Sequence, residues 1–211
     1  MNIRQAIISR LRDTKRENIE AVIEYMDRHG FFTRHCHHHH HYRGGMAHHA
    51  WQTLQIAMAS ASPTLDSDSI AITSLLHDFC NCSGMHHLSG HGSRSAKMLQ
   101  ALGLHLTHEE YLAIRFHMSL RNKSGHPLYA DALHSPLREL IHKADGVSAK
   151  LRMGHAYPLR EVDELQDEHD DVAELFVSAL DILNTTLYDP ETKKTMSRDE
   201  VLTFLRSNTK K

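Results

Sequence analysis

The residues best placed to do chemistry are His77 and Asp78, neighbours at the end of the segment SIAITSLLHDF. On a helix, Ile70, Ala71, Ile72, Leu75, Leu76 and Phe79 spread around almost the whole circumference, and a helix apolar on all sides is a buried one. A carboxylate carried into such surroundings must find a cation or strong donors. A metal ion ligated by both side chains meets that need. The competing reading gives Asp78 an arginine and His77 a backbone carbonyl. Asp145 poses the same choice between ion pair and ligand, because it borders the stripe formed by Ile141, Ala144 and Ser148. His117, which flanks Leu112 and Phe116, reads alone as a core histidine. His91 precedes a helix beside Gly90, Gly92, Ser93 and Arg94, and a helix N-terminus with an arginine suits a phosphate oxygen.

These groups must be positioned by helices. Apolar residues recur at three- and four-residue spacings over 3–29, with Gly30 as a stop. A second helix spans about 47–61, and SIAITSLLHDF and SRSAKMLQALGL follow as two more. Thr107 and Glu110 form a capping box that opens EEYLAIRFHM. Residues 121–134 read as irregular, and Ser135-Pro136 starts a helix carrying Leu137, Leu140, Ile141, Ala144, Ser148 and Leu151 on one stripe. Further helices are expected around Val172–Leu183 and from the Ser197/Glu200 cap. No alternating pattern supports a strand, so the expected fold class is all-α, a helical bundle.

Composition narrows the function. Of 211 residues, 21 are histidine, an excess that points first to metal binding. The run His37–His41 reads as a solvated loop with incidental metal affinity. Cys36, Cys80 and Cys82 make neither a disulfide framework nor a zinc signature. A net charge of -2 gives no basic face for long nucleic acid, although it leaves room for a local phosphate pocket. The opening MNIRQAIISRLRDTKREN has no apolar signal segment, and no run approaches the roughly 18 apolar residues of a membrane span. The expected location is the cytoplasm.

Five segments in order, YRGGMAHHAW, LLHDF, GHGSRSA, IRFHM and LIHKADG, resemble the HD-domain superfamily of metal-dependent phosphohydrolases. The resemblance runs from about Phe31 to Leu151. It implies a compact helical bundle of the HD-domain type within a single domain, 1–211. Its core would span about 31–152, with N-terminal helices over 1–30 and a C-terminal helical extension over 153–211.

It also implies roles for particular residues. The ligand after the glycine pair would be His49 rather than His48, a choice that periodicity leaves open. His49, His77, Asp78 and Asp145 would hold one metal ion, and His91 and His117 a second, with Asp78 bridging them and orienting the attacking water as the catalytic residue. His39 matches a further histidine that some relatives carry before the glycine pair. Asn81 stands where many members have a lysine assisting the phosphate, which leaves Arg94, Arg115 or Lys143 to supply that cation; Arg94 and Lys143 are the expected substrate-binding residues. The absence of a Gly-Tyr-Pro motif disfavours the cyclic-dinucleotide branch.

A mixed imidazole and carboxylate set suits one or two divalent ions of Mn, Fe, Co, Ni or Zn better than Mg. The expected partner is a small phosphate ester, by fold-level analogy a nucleotide. A metal-binding regulatory protein without turnover and a di-iron oxygenase are the alternatives.

Overall fold

The computed structural model describes residues 2–36, 38–83, 90–121 and 123–151. All lie in the first of two units of the chain, Met1–Gln166. The helices expected around 172–183 and from Ser197, like the whole C-terminal extension, fall outside the described residues. Within the described residues the fold is all-α. The elements are α1 (Ile3–Asp13), α2 (Ile19–Arg28), α3 (Gly45–Ser60), α4 (Ser67–Leu76), α5 (His91–Ala101), α6 (His108–Phe116), α7 (Tyr129–His134) and α8 (Pro136–Leu151). A 3-10 turn, Phe79–Ser83, follows α4. None of these helices is long and apolar enough to cross a membrane.

The sequence signals for helix ends hold where a side chain can carry them. Thr107 accepts from the backbone N–H of Glu110, whose carboxylate accepts from the Thr107 N–H in return. Ser135 Oγ accepts from the Arg138 N–H at 3.2 Å and opens α8. Gly30 stops α2 in a left-handed conformation, φ 79°.

Two elements differ from expectation. The apolar spacing runs through 3–29 without marking a break, but the segment is two helices, interrupted by Lys15 and Asn18 at φ 51° and 62°. Tertiary pairing outweighs helix continuity here. Arg16 reaches the carboxylate of Glu110, which is fully buried, and Asn18 Nδ2 donates to the Gly103 carbonyl at 2.9 Å. The second difference is α7, inside a stretch expected to be irregular. Its Ala132 is buried against Leu112 and Phe116, so the turn is held by packing more than by its own sequence.

The Arg16–Glu110 pair makes a stability prediction. Glu110 also accepts from Ser69 Oγ at 2.7 Å, but that neutral donor does not balance the charge. Breaking a buried ion pair leaves an uncompensated charge, so Arg16→Ala should cost about 3 kcal/mol in urea unfolding. A loss below about 1 kcal/mol, the scale of an exposed pair, would show that the hydroxyl and backbone donors suffice.

Helix α3 runs against α4 and α8, while α6 runs against α5 and α8. This arrangement fixes the site. His49 comes from α3, His77 from the end of α4, His91 from the start of α5, His117 from the end of α6 and Asp145 from α8.

Candidate metal centre

His77 and His117 occupy equivalent places. Each is the C-cap residue of its helix with α-helical backbone angles, φ near -57°. Each points Nδ1 at a carbonyl of its own last turn, His77 at Ser74 O and His117 at Ile114 O, both at 2.8 Å. Carbonyls only accept, so in both rings Nδ1 carries the proton, and a neutral ring then presents Nε2 as a bare lone pair. Burial pushes the His117 pKa down to about 4, so that ring is neutral near pH 7. His142 adds support by donating Nδ1–H to the His117 carbonyl at 2.5 Å.

His49 is held in the same state by another route. Its Nδ1 lies 2.9 Å from Ser148 Oγ, and Ser148 donates its own proton to Gln52 Oε1 at 3.2 Å. The His49 Nδ1–H therefore donates to the hydroxyl, and Nε2 is left as the ligand atom. Gln52 is locked in turn: its Nε2 donates to His48 Nε2 at 2.8 Å, and its Oε1 accepts from His40 Nε2 at 2.9 Å. This chooses between the two neighbouring histidines. His48 turns to Gln52 and Tyr42, while His49 turns to the centre. Partners that orient a ligand histidine typically alter metal affinity 10–100-fold when removed. Ser148→Ala should accordingly weaken the first ion by about 10-fold or more in chelator competition; unchanged affinity would show that the Ser148 hydroxyl does not hold His49.

The lone pairs converge on the two aspartates. His49 Nε2 lies 3.2 Å from both His77 Nε2 and Asp145 Oδ1, and His77 Nε2 is 3.8 Å from Asp145 Oδ1 and from Asp78 Oδ2. On the other side, Asp78 Oδ1 is 3.3 Å from His91 Nε2 and 3.6 Å from His117 Nε2, with those two nitrogens 2.9 Å apart. Asp78 thus turns one oxygen to each group. Gly92 makes the second group possible: a Cβ there would lie 2.5 Å from the Ile114 carbonyl oxygen, so only glycine lets the start of α5 approach α6 this closely.

Compared with known proteins, the chain matches no family model, no curated protein and no solved structure. The reading of the centre therefore rests on its own electrostatics. Burial raises the cost of a charged Asp78, yet His77, His91 and His117 outweigh it where they carry a proton, and hold the carboxyl down at about 2. Asp145 is likewise held well below the usual carboxylate range, against its burial, by the hydrogen bond that His49 gives it when Nε2 is also protonated and by the charge of a protonated His77, the place that a cation would take. Both carboxylates are thus ionised at neutral pH. Asp78 Oδ1 is nonetheless buried without a hydrogen bond among the described residues. Nε2 lone pairs facing one another and an orphaned carboxylate oxygen are poorly satisfied alone and well satisfied by divalent cations. Around the two aspartates the ligand atoms fall into three overlapping groups that could each hold an ion, His49, His77 and Asp78; His77, His117 and Asp145; and Asp78, His91 and His117, with the atoms of each within 4.8 Å of one another.

All six residues expected as ligands are brought together. The two expected substrate-binding residues differ. Arg94 follows His91 by three residues on α5, on the same face, where it is half-buried and hydrogen-bonds the Cys80 sulfur. Lys143 is not at the centre. It is exposed and lies 3.4 Å from Glu139; two residues from Asp145, it sits about 200° around α8 from that ligand. Arg115 is committed elsewhere, donating to Ser93 Oγ at 2.6 Å and Tyr111 Oη at 3.0 Å.

The histidine run departs from the solvated loop expected of it, because His40 is buried and His39 half-buried. Cys36, Cys80 and Cys82 are buried free thiols. Burial pushes Cys82 up to about 12, which leaves it a protonated core side chain rather than a soft ligand. Sequence reasoning missed Gln52 and His40 as supports of the site. The signal for Gln52 was its place one turn after His48 and His49 in a helix otherwise rich in apolar residues.

Proposed function

We propose that the chain is a metal-dependent phosphohydrolase of the HD-domain type, cleaving a phosphate ester, in first choice that of a nucleotide. The observation that carries this reading is Asp78, whose two carboxylate oxygens face two separate imidazole groups. A carboxylate so placed could serve two ions at once, and a pair of ions would assist phosphoryl transfer by holding both the attacking and leaving oxygens. The five segments that resemble HD-domain proteins support the same reading, and each of their expected ligands belongs to the cluster.

When bound, ions of the Mn, Fe, Co, Ni or Zn type lower the pKa of water to near neutrality and offset charge on phosphoryl oxygens. The chain's own residues do the rest. Asp78, ionised at neutral pH, accepts a hydrogen bond from the attacking water and orients it. His49, His77 and His117 keep their Nδ1–H groups fixed on Ser148, Ser74 and Ile114, so their ligand atoms need no reorientation. Arg94 takes the role that a lysine at position 81 would have, since Asn81 carries no charge and Lys143 is directed away. It meets a phosphoryl oxygen beside the N-terminus of α5.

The test is metal content per chain together with turnover of a generic phosphomonoester and phosphodiester. Metal-dependent release of phosphate or alcohol supports the reading. Two ions bound without turnover of either ester would replace the enzyme with a metal-binding regulatory protein.

A further inference from the structure

The inner histidines are sealed. His49 is 1 % exposed, and His77 and His117 are 0 %. An ion reaches them past partly exposed groups: Asp78, Asp145 and His91, with side chains 17 %, 12 % and 20 % exposed, and, on the side of His49, the histidine run. His39, His40 and His49 each offer a ligand atom, all within 4.8 Å of one another. His40 gives its Nε2–H to Gln52 Oε1 at 2.9 Å, so its Nδ1 is a lone pair, and that atom faces His39 Nδ1 at 2.9 Å. The rings step inward from His39 to His49, 4.4 Å between centroids, and from His49 to His77, 5.2 Å. His38 and His41, which flank the pair, are exposed.

The loop is held in this place. His40 has a left-handed backbone, φ 50°, a conformation uncommon outside glycine and one that must be stabilised by its surroundings. Its carbonyl lies so close to α3 that a Cβ on Gly45 would be 2.0 Å from its oxygen. A loop without a task would not need its histidine pressed against the helix that carries His49.

His49 belongs to both the outer and the inner group, yet it has one ligand atom to give. Its Nδ1–H is committed to Ser148, and Nε2 alone carries a lone pair. The two groups therefore cannot both be filled through His49. We propose that His39, His40 and His49 form a loading station, at which an incoming divalent transition ion is held before it passes, with His49 as the pivot, to His77, Asp78 and Asp145. The transfer is a ligand exchange, with no change of oxidation state. The outer group is all imidazole, so it captures Zn, Co or Ni in preference to Mg, which favours oxygen ligands. The proposal rests on the metal-centre reading given above.

The experiment follows Co(II) uptake by metal-free protein through its visible absorption in rapid mixing, and Co(II) removal by a chelator. His39→Ala and His39→Gln are compared with the wild-type chain, with thermal melting as the check on folding. Both variants should reach the wild-type cobalt content at equilibrium, but load and unload about tenfold more slowly, an added barrier of about 1.4 kcal/mol in each direction. Rates equal to wild type would overturn the proposal. So would variants that hold one ion fewer at equilibrium, because His39 would then be a permanent ligand. Wild-type protein that takes up no cobalt would instead defeat the metal-centre reading, and the station with it.

Discussion

Asp78→Asn should leave the protein unable to hold either ion. The amide keeps the volume of the carboxylate but removes the charge, and it has only one oxygen to offer where Asp78 offers two. His77 and Asp145 remain on one side and His91 and His117 on the other, each group short of the anionic oxygen it shares. The effect can be read as lost stabilisation. At metal concentrations about 100 times the dissociation constant, each ion bound only by the folded chain adds roughly 2.7 kcal/mol to stability. Wild-type protein should show that gain in urea unfolding with and without metal. Asp78→Asn should show none. A variant that still takes up two ions with wild-type affinity would remove Asp78 from the centre and take the bridging geometry with it.

The second large effect separates the two groups. His91→Ala should release one ion and keep the other, because His49, His77, Asp78 and Asp145 are all intact. Turnover should still fall by about 10²-fold or more, the scale on which loss of one charge-stabilising element slows a reaction. His77→Ala should do more. Its Nε2 lies against His49, Asp78 and Asp145, so its loss opens the first group and frees the Asp78 carboxylate that the second group shares. Both metal content and turnover should be abolished. Metal analysis of the two variants side by side checks the asymmetry. Equal losses in both would point to a single ion shared by all the ligands, and unchanged turnover in His77→Ala would defeat the hydrolytic reading.

Much of this was legible in the sequence because the physics is local. The apolar circumference of the segment ending in Phe79 identifies a buried helix, and a buried Asp78 demands a cation whatever the fold around it. The caps at Thr107 and Ser135 are encoded within a few residues, and both form. The choice of His49 over His48 was not available from periodicity. Both side chains are buried, and what distinguishes them is Ser148, 99 residues away, which receives one ring's proton. The break between α1 and α2 was hidden for the same reason: its cause lies in Glu110 and Gly103, which no local window contains. Lys143 was named for its charge, and only the rotation of α8 shows that it lies on another face of the helix from Asp145. The histidine run was read as solvated because imidazoles are at home in water. Only the packing of the His40 carbonyl against Gly45 shows that part of the run is inside.

The claim on which the rest depends is that two cations sit among these five elements. It is tested most directly by growing crystals of the chain loaded with cobalt or zinc and recording anomalous scattering at the metal's absorption edge. The expected map has two peaks about 3.5–4 Å apart. One lies between His49, His77, Asp78 and Asp145, and the other between Asp78, His91 and His117. A map whose strongest peak lies on exposed histidines, with His49, His77 and Asp145 bonded only to one another, would contradict it.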